Sequence, residues 1–229
     1  MSQNFLKRII TSIILLSLLI IINFSNQYIF ISSILIIGII ISIEFNNLFS
    51  KILASDNLNT KFFFKKFNTK FLIFNFITFV YIFFIFCVFS IEIYKSEGSF
   101  FFFYVISICF FTDIGGYIFG KIIGGKKLSK ISPNKTISGT IGSFILSIIP
   151  LIFFINVNYL NLEFNLKNII YCLLISLISQ LGDLFISFLK RKAKTKDTGN
   201  ILPGHGGLLD RVDGIIFAVP FSYFLMKLF

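Results

Sequence analysis

The sequence has little charge, few cysteines and only one histidine. Charged residues make up 14% of the 229, against about 25% in an ordinary soluble domain. The three cysteines, Cys87, Cys109 and Cys172, all lie inside apolar stretches. They cannot all pair, and their spacing fits no zinc site, so we predict free thiols in the core or facing lipid. Disulfides and structural zinc are therefore not supported.

The single histidine restricts the chemistry that the chain can perform. His205 is more typical of a structural hydrogen-bonding group than of a general base, although a proton-transfer role stays open. The sequence contains no Ser-His-Asp arrangement, no H-E-x-x-H, no G-x-G-x-x-G and no Walker A loop. These absences argue against the familiar hydrolase, zinc-protease, dinucleotide-binding and P-loop classes.

Apolar residues, in contrast, make up 56% of the chain. A soluble fold could not bury so many, because its surface must be mostly wetted. The runs are continuous rather than alternating, which favours membrane helices over a barrel. We predict an all-α fold, a polytopic transmembrane helical bundle in a single integral membrane domain over residues 1–229. Seven candidate spans follow from a required length of about 20 residues: 9–25, 28–45, 71–91, 99–118, 137–157, 168–189 and 214–229.

The basic residues predict the orientation of these spans. Lys7 and Arg8 precede the first apolar run without a cleavage site after it, so we expect an uncleaved first span. If the N-terminus is cytoplasmic, inner segments hold Lys7 and Arg8, five lysines in 51–70, five in 121–135 and six basic residues in 190–211, together 18 of 21. This asymmetry is what the positive-inside rule requires. The net charge of +11 favours anionic lipids and phosphorylated substrates over nucleic acid.

Three carboxylates flank the last inner loop, within residues 179–214. Asp183 lies seven residues before Lys190, about 10 Å from the helix end at a rise of 1.5 Å per residue. Asp210 and Asp213 begin the next helix on one face. Together they form a candidate oxygen-ligand site for Mg²⁺. The alternatives are that Asp210 and Asp213 cap a helix and that Asp183 pairs with a lysine.

Basic residues and glycines lie between these carboxylates. The basic residues are Lys190, Arg191, Lys192, Lys194 and Lys196, and the glycines belong to the segment 203–207. Glycine backbone can approach phosphate oxygens closely, and cations beside carboxylates are typical of phosphoryl transfer. A basic loop without carboxylates and glycines would more often only mark the cytoplasmic side of the membrane.

A second polar constellation covers residues 112–142. Asp113 lies near the inner end of the fourth span, and Ser132-Pro133 with Lys135-Thr136 predicts an anion-binding turn before the fifth. Glycines in membrane helices usually indicate close packing. We apply that interpretation to Gly115, Gly116, Gly120 and Gly142.

These segments carry a family resemblance. Residues 187–213, S-F-L-K-R-K-A-K-T-K-D-T-G-N-I-L-P-G-H-G-G-L-L-D-R-V-D, resemble the signature of phosphatidate cytidylyltransferases (CDP-diacylglycerol synthases). The stretch 113–142, with S-P-N-K-T, is similar to the other recurring segment of that family. Residues 1–100 resemble it only as apolar helices.

The resemblance implies a nucleotidyltransferase of phospholipid biosynthesis, which converts CTP and phosphatidic acid to CDP-diacylglycerol and pyrophosphate with Mg²⁺. It implies an inner-membrane enzyme with its active site at the cytoplasmic face, and leaves a homodimer as one alternative. The implied metal ligands are Asp183, Asp210 and Asp213, and the implied phosphate-neutralising residues are Lys190, Arg191 and Arg211. The implied substrate contacts are Asp113, Lys135, Thr136, Ser187, His205, Gly206 and Gly207.

Two other functions are compatible with a polytopic chain. A transporter or channel would place charges near the bilayer midplane and broken helices in paired halves, whereas this chain clusters its charges at one face. Another nucleotide-dependent lipid enzyme, such as a polyprenol kinase, is the nearer rival.

Overall fold

The structure, a computed structural model, describes residues 3–56, 69–129, 132–204 and 206–228. His205 and residues 57–68 of the predicted inner loop lie outside the described residues. The elements are α1 (Gln3–Asn23), α2 (Gln27–Asp56), α3 (Thr69–Val80), a π-helical segment (Tyr81–Cys87), α4 (Val88–Ile122), α5 (Ile137–Leu146), α6 (Ile149–Val157), α7 (Leu166–Lys192), α8 (Leu209–Val212) and α9 (Ile215–Leu228).

The predicted all-α membrane class is confirmed. Within the described ranges extended pairing is limited to two isolated bridges, Lys127 with Thr136 and Leu202 with Gly206. The count of seven spans is not confirmed. Among the described residues, four helical stretches have the length and composition to cross a membrane: Gln27–Ala54, Thr69–Ile122, Ile137–Val157 and Leu166–Lys192. The apolar part of α1, Ile10–Asn23, is shorter, and α9 has only 14 residues.

The stretch Thr69–Ile122 contains two of the predicted spans. Its 54 residues would extend about 80 Å as a straight helix, more than twice the hydrocarbon thickness. Gly98 interrupts it with φ 85° and ψ 175°, a conformation that glycine adopts without a Cβ penalty. The interruption falls between the predicted spans 71–91 and 99–118.

The chain divides into two compact units, of which the first combines residues 1–91 with 188–212. Its core forms along one face of α2, where Phe30, Ile34, Ile41, Phe45 and Leu48 are buried at helical spacing. This face contacts α3 and the π-helical segment. Gly38 permits close packing there, because a Cβ at that position would lie 2.8 Å from Cys87 Sγ.

The second unit combines residues 92–187 with 213–229. Its helices α4 and α5 meet through glycines: a Cβ at Gly115 would lie 2.4 Å from Gly142 O, and one at Gly142 would lie 2.3 Å from Phe119 Cγ. A Cβ at Gly116 or Gly120 would likewise meet α5 or its cap, at 2.9 Å from Ser143 Oγ and 3.2 Å from Thr136 Oγ1. The packing interpretation of these glycines is therefore confirmed.

The three thiols are free and buried, as predicted. Cys172 Sγ lies 3.1 Å from the hydroxyl oxygen of Tyr104 in the second unit. The tyrosine ring packs against Phe154 and Tyr171, with centroid distances of 5.3 and 6.2 Å. Cys172 therefore belongs to an aromatic core.

Candidate functional site

The predicted site residues fall into two groups, one in each compact unit. The first unit holds the signature loop, which we define as residues 193–208, together with Lys190, Arg191, Asp210 and Arg211. The second holds Asp113, Lys135, Thr136, Asp183, Ser187 and Asp213.

In the first unit, Asp210 is the acceptor around which the signature loop closes. Its Oδ1 accepts a hydrogen bond from Lys190 Nζ at 2.8 Å. Its Oδ2 accepts from the backbone N–H of Thr198 at 2.8 Å, from that of Gly207 at 3.0 Å and from the Thr198 hydroxyl at 3.0 Å. One carboxylate therefore joins the end of α7, the middle of the loop and the beginning of α8.

The surroundings of Asp210 favour its ionised form. Burial alone would raise its pKa, but hydrogen bonds from Lys190, Thr198 and Gly207 outweigh that effect and lower the pKa below 3.8. The side chains of Lys190 and Asp210 are only 13% and 6% exposed. The positive charge of Lys190 is thus directed at Asp210 rather than at open solvent.

A further carboxylate, which was not among the predicted site residues, is that of Glu44 on α2, which is only 1% exposed. Its Oε2 accepts from Thr198 Oγ1 at 2.9 Å and from Leu209 N at 2.8 Å, and its Oε1 accepts from Leu208 N at 2.9 Å. A sequence signal was available, because Glu44 is the one acidic residue of the predicted span 28–45. An acid in such a span is a functional candidate by default.

Two loop glycines make room for this carboxylate. A Cβ at Gly199 would lie 2.9 Å from Glu44 Oε1. A Cβ at Gly207 would lie 2.5 Å from Glu44 Oε2 and 2.0 Å from Thr198 Oγ1. The approach of a phosphate to Gly207 stays a prediction, while the groups that lie against this glycine in the structure are Glu44 and Thr198.

The loop closes on itself beside this carboxylate. Leu202 N donates to Gly206 O at 2.9 Å, and Gly206 N donates back to Leu202 O at 3.2 Å. Gly206 has φ 84°, in the left-handed region that favours glycine. Gly206 thus permits the tight turn, while Gly207 permits the contact with Glu44.

In the second unit, Lys135 and Asp183 form an ion pair with an N–O distance of 2.5 Å and side chains 28% and 24% exposed. Ser187 Oγ donates to Asp183 Oδ1 at 3.2 Å. Asp113 interacts electrostatically with both Asp183 and Lys135. The structure thus brings together four residues from the predicted fourth span, the S-P-N-K-T turn and α7. The alternative that Asp183 pairs with a lysine is realised.

The turn before α5 is organised by its own backbone and hydroxyl groups. Leu128 N donates to Lys135 O at 2.8 Å, and Ile137 N donates to Lys126 O at 3.0 Å. Thr136 is the N-cap of α5, because its Oγ1 accepts from Gly139 N at 3.1 Å. Lys127 Nζ also donates to Pro133 O. The turn therefore holds Lys135 on a fixed backbone, with Thr136 contributing a cap.

Asp213 lies in the turn between α8 and α9, against α7. Its Oδ1 accepts from Gly214 N at 2.9 Å. Its backbone oxygen would lie 2.9 Å from a Cβ at Gly182, and a Cβ at Gly214 would lie 2.4 Å from Ser179 Oγ. The glycine pair thus holds the backbone of Asp213 against the turn of α7 that carries Asp183.

No group of three or more His, Cys, Asp or Glu side chains that could hold a metal ion forms among the described residues. The assignment of Asp183, Asp210 and Asp213 to magnesium stays a prediction. The partners of the three differ. Asp210 Oδ2 already accepts three hydrogen bonds, whereas Asp183 Oδ1 accepts one, from Ser187, and its Oδ2 faces Lys135. A carboxylate oxygen has two lone pairs, so Asp183 keeps more capacity for a cation.

The chain is similar to curated bacterial proteins. It is 43% identical over 133 residues to the phosphatidate cytidylyltransferase of Bacillus subtilis (strain 168), which covers 58% of this chain and 49% of that protein. It is 45% identical over 136 residues to the phosphatidate cytidylyltransferase of Staphylococcus aureus (strain COL), covering 58% and 51%. The chain thus spans about half the length of these relatives.

A family model extends the similarity beyond the reach of these pairwise matches. The model described as the Cytidylyltransferase family matches residues 46–229, which is 184 of the 229 residues. The matched region includes the Lys135–Asp183 pair and the whole signature loop with Asp210, while Glu44 lies two residues before it. The chain belongs to the cytidylyltransferase family.

Proposed function

We propose that the chain is a phosphatidate cytidylyltransferase of the inner membrane, with its site at the cytoplasmic face. The single observation that carries this proposal is the network around Asp210, since it organises the segment 187–213 that resembles the signature of that enzyme class. Family membership over residues 46–229 and the names of the relatives support it.

The proposed reaction needs charge neutralisation more than a strong base. An oxygen of the lipid phosphate, already anionic at pH 7, would attack the α-phosphorus of CTP while the bond between that phosphorus and the β-phosphate oxygen breaks. The products are CDP-diacylglycerol and pyrophosphate. Two unit charges 4 Å apart repel by about 4 kcal/mol at an effective dielectric of 20, and several such charges meet here. Because the attacking oxygen needs no strong base, a site with one histidine suffices, provided that cations neutralise and position the phosphates.

The basic residues of the first unit differ in what their side chains face, so we propose different roles for them. Lys190 faces Asp210, so we propose that it holds the signature loop in shape. Arg191 and Arg211 have exposed side chains, and guanidinium groups bind phosphate oxygens in pairs. We assign the neutralisation of CTP phosphates mainly to these two arginines.

The second unit carries the residues to which we assign the lipid phosphate and magnesium. Lys135 lies on the turn before α5, beside Asp183 and near Asp113. We propose that Asp183 would hold Mg²⁺ together with Asp213 of the same unit. The role of Asp210 as a third ligand stays a prediction from the sequence. When bound, the ion would neutralise phosphate charge and orient the triphosphate. Lys135 would then turn from Asp183 to the lipid phosphate, and Ser187 would keep the carboxylate oriented.

The purified protein should release pyrophosphate from CTP only when phosphatidic acid is also present. Diacylglycerol is the matched control, because it has the same tails and lacks the attacking phosphate. Release with CTP alone, or equal release with diacylglycerol, would contradict the proposal. The homodimer stays a prediction, which light scattering on detergent-solubilised protein tests.

A further inference from the structure

Glu44 has a structural position that the proposed reaction leaves unused. It lies on α2, near the end of the predicted span 28–45, yet its carboxylate is directed at the signature loop. Its three donors are the hydroxyl of Thr198 and the backbone N–H groups of Leu208 and Leu209, at 2.8–2.9 Å. The donors come from residues 154 to 165 positions away in the chain.

Burial makes this contact conditional on the closed loop. A carboxylate that is 1% exposed is strongly unfavourable unless hydrogen bonds replace its lost hydration. Here all three donors named above belong to the loop or to the first residue of α8. The burial of Glu44 and the closure of the loop therefore depend on each other.

Thr198 connects Glu44 to the proposed site. Its Oγ1 lies 2.9 Å from Glu44 Oε2 and 3.0 Å from Asp210 Oδ2. A hydroxyl has one proton, so the two carboxylates share a single donor at this point. A displacement of Glu44 must therefore change the hydrogen bonding of Asp210.

The fit is specific for a carboxylate of this length. Gly199 and Gly207 leave space for its oxygens that any Cβ would fill. A glutamine at 44 would direct its amide N–H₂ at one of the backbone N–H groups, so one acceptor would be lost. An aspartate would keep the charge but would be one methylene shorter.

We propose that Glu44 is a positioning residue, which anchors the signature loop to membrane helix α2 and thereby sets the geometry of Asp210 and Arg211. This inference rests on the proposed function for its catalytic consequence. The anchoring contact itself does not depend on which reaction the protein performs.

The test compares Glu44→Gln with Glu44→Asp, and uses Asn46→Ala as the matched control because Asn46 is exposed on the same helix. Amide hydrogen exchange of the full-length protein in detergent, without substrate, reports the contact directly. In Glu44→Gln, exchange of the amides of residues 198–209 should accelerate by about tenfold or more, the change expected on losing one hydrogen bond to a charged acceptor. Peptides from 27–54 and 69–91 should be unchanged.

The kinetic result separates positioning from simple stability. Per folded molecule, kcat/KM of Glu44→Gln should fall by about tenfold or more, Glu44→Asp should recover part of it, and Asn46→Ala should equal wild type. Unchanged exchange at 198–209, or faster exchange throughout the first unit with wild-type kcat/KM, would overturn the proposal.

If Glu44→Gln does not fold, Thr198→Val tests the same contact. It removes only the shared hydroxyl and should reproduce the local acceleration at 198–209, and a wild-type exchange pattern in this variant would overturn the proposal. If the wild-type protein makes no CDP-diacylglycerol, the proposed function fails, while the exchange experiment still decides the anchoring role.

Discussion

At the scale of single residues, the acidic side chains of the two units differ in how many hydrogen bonds and ion pairs they already make. Asp210 accepts four hydrogen bonds, and Glu44 accepts three. Asp183, in contrast, has one lysine and one serine as partners and is partly exposed. We infer that Asp210 and Glu44 maintain the shape of the signature loop, while Asp183 is better placed to exchange its partner for a substrate or a cation.

The first prediction concerns Asp210→Asn. An asparagine must direct its N–H₂ group at Lys190 or at the three donors of the loop, so at least one buried donor loses its acceptor. We expect a loss of about 1–3 kcal/mol in stability, measured as the thermal midpoint of the purified protein. Asp197→Asn, an exposed acid of the same loop, is the control and should change little.

The pH dependence of that loss follows from the lowered pKa. A carboxylate whose folded pKa is below 3.8 contributes its stabilisation above 3.8 and loses it as the pH falls through the folded value. The difference between wild type and Asp210→Asn should therefore be constant from pH 7 to about 5 and should shrink only below the ordinary pKa. A difference that disappears between pH 6 and 5 would contradict the assigned network.

The second prediction concerns Lys135 and Asp183. A partly exposed ion pair contributes less than about 1 kcal/mol, so Lys135→Ala and Asp183→Asn should both fold. Lys135→Ala should weaken the use of phosphatidic acid, and Asp183→Asn should lower kcat by orders of magnitude with partial rescue by Mn²⁺ or raised Mg²⁺.

The double variant of Lys135 and Asp183 separates two explanations for these losses. If the residues only neutralise each other, combining Lys135→Ala with Asp183→Asn should restore much of the activity. If Asp183 binds a cation, the double variant should be as inactive as Asp183→Asn. An active Asp183→Asn enzyme would contradict the metal assignment.

At the scale of helices, close packing in the second unit depends on glycine. Gly115 and Gly142 bring the backbones of α4 and α5 together below Cβ contact distance. The same arrangement recurs between α7 and α9 at Gly182 and Gly214. These contacts fix the helices that carry Asp113 and Asp183 and the turn that carries Asp213.

The third prediction tests that packing through Gly142→Ala. The added Cβ would lie 2.3–2.6 Å from the ring and Cβ of Phe119, and such overpacking costs about 1–3 kcal/mol. We expect a lower thermal midpoint and a smaller folded fraction on size-exclusion chromatography. Ile141→Val, at an exposed neighbouring position, should behave as wild type. Equal midpoints for both variants would show that α4 and α5 can separate at no cost.

The helices illustrate what the sequence could and could not predict. The predicted span 137–157 matches the apolar stretch Ile137–Val157, because an uninterrupted apolar run leaves few alternatives in a bilayer. The break at Gly98 fell in a predicted connection, but the π-helical segment Tyr81–Cys87 left no mark in the composition. The apolar stretch Ile10–Asn23 within the 21-residue α1 and the 14-residue α9 are each shorter than a full span, so length alone does not fix the number of spans.

The site shows a similar limit. The spacing of the signature predicted that Lys190 and Asp210 would lie in one functional segment, and they are paired. Glu44 could have been noticed as the one acid of its span, but its partners could not be predicted, because they lie more than 150 positions further along the chain. Hydrophobic periodicity and local spacing contain no information on such a contact. The same is true of the pair between Lys135 and Asp183.

At the scale of the whole molecule, the fourth prediction concerns topology. The residues that we assign to chemistry should all face the cytoplasm. A cysteine at Lys196, which is exposed, should react with an impermeant thiol reagent only after the membrane is opened. The three native cysteines are buried and should give little background. Labelling of intact cells at position 196 would reverse the orientation.

The identity of the transferred group is the most direct test of the central claim. Purified protein should be incubated with phosphatidic acid, Mg²⁺ and CTP labelled either at the α- or at the γ-phosphorus, and the lipid extracted. Cytidylyl transfer predicts that the α-label enters the lipid, that the γ-label appears as pyrophosphate, and that Asp183→Asn abolishes both. A γ-label in the lipid would indicate a kinase, and unlabelled lipid in both reactions would contradict the proposed activity.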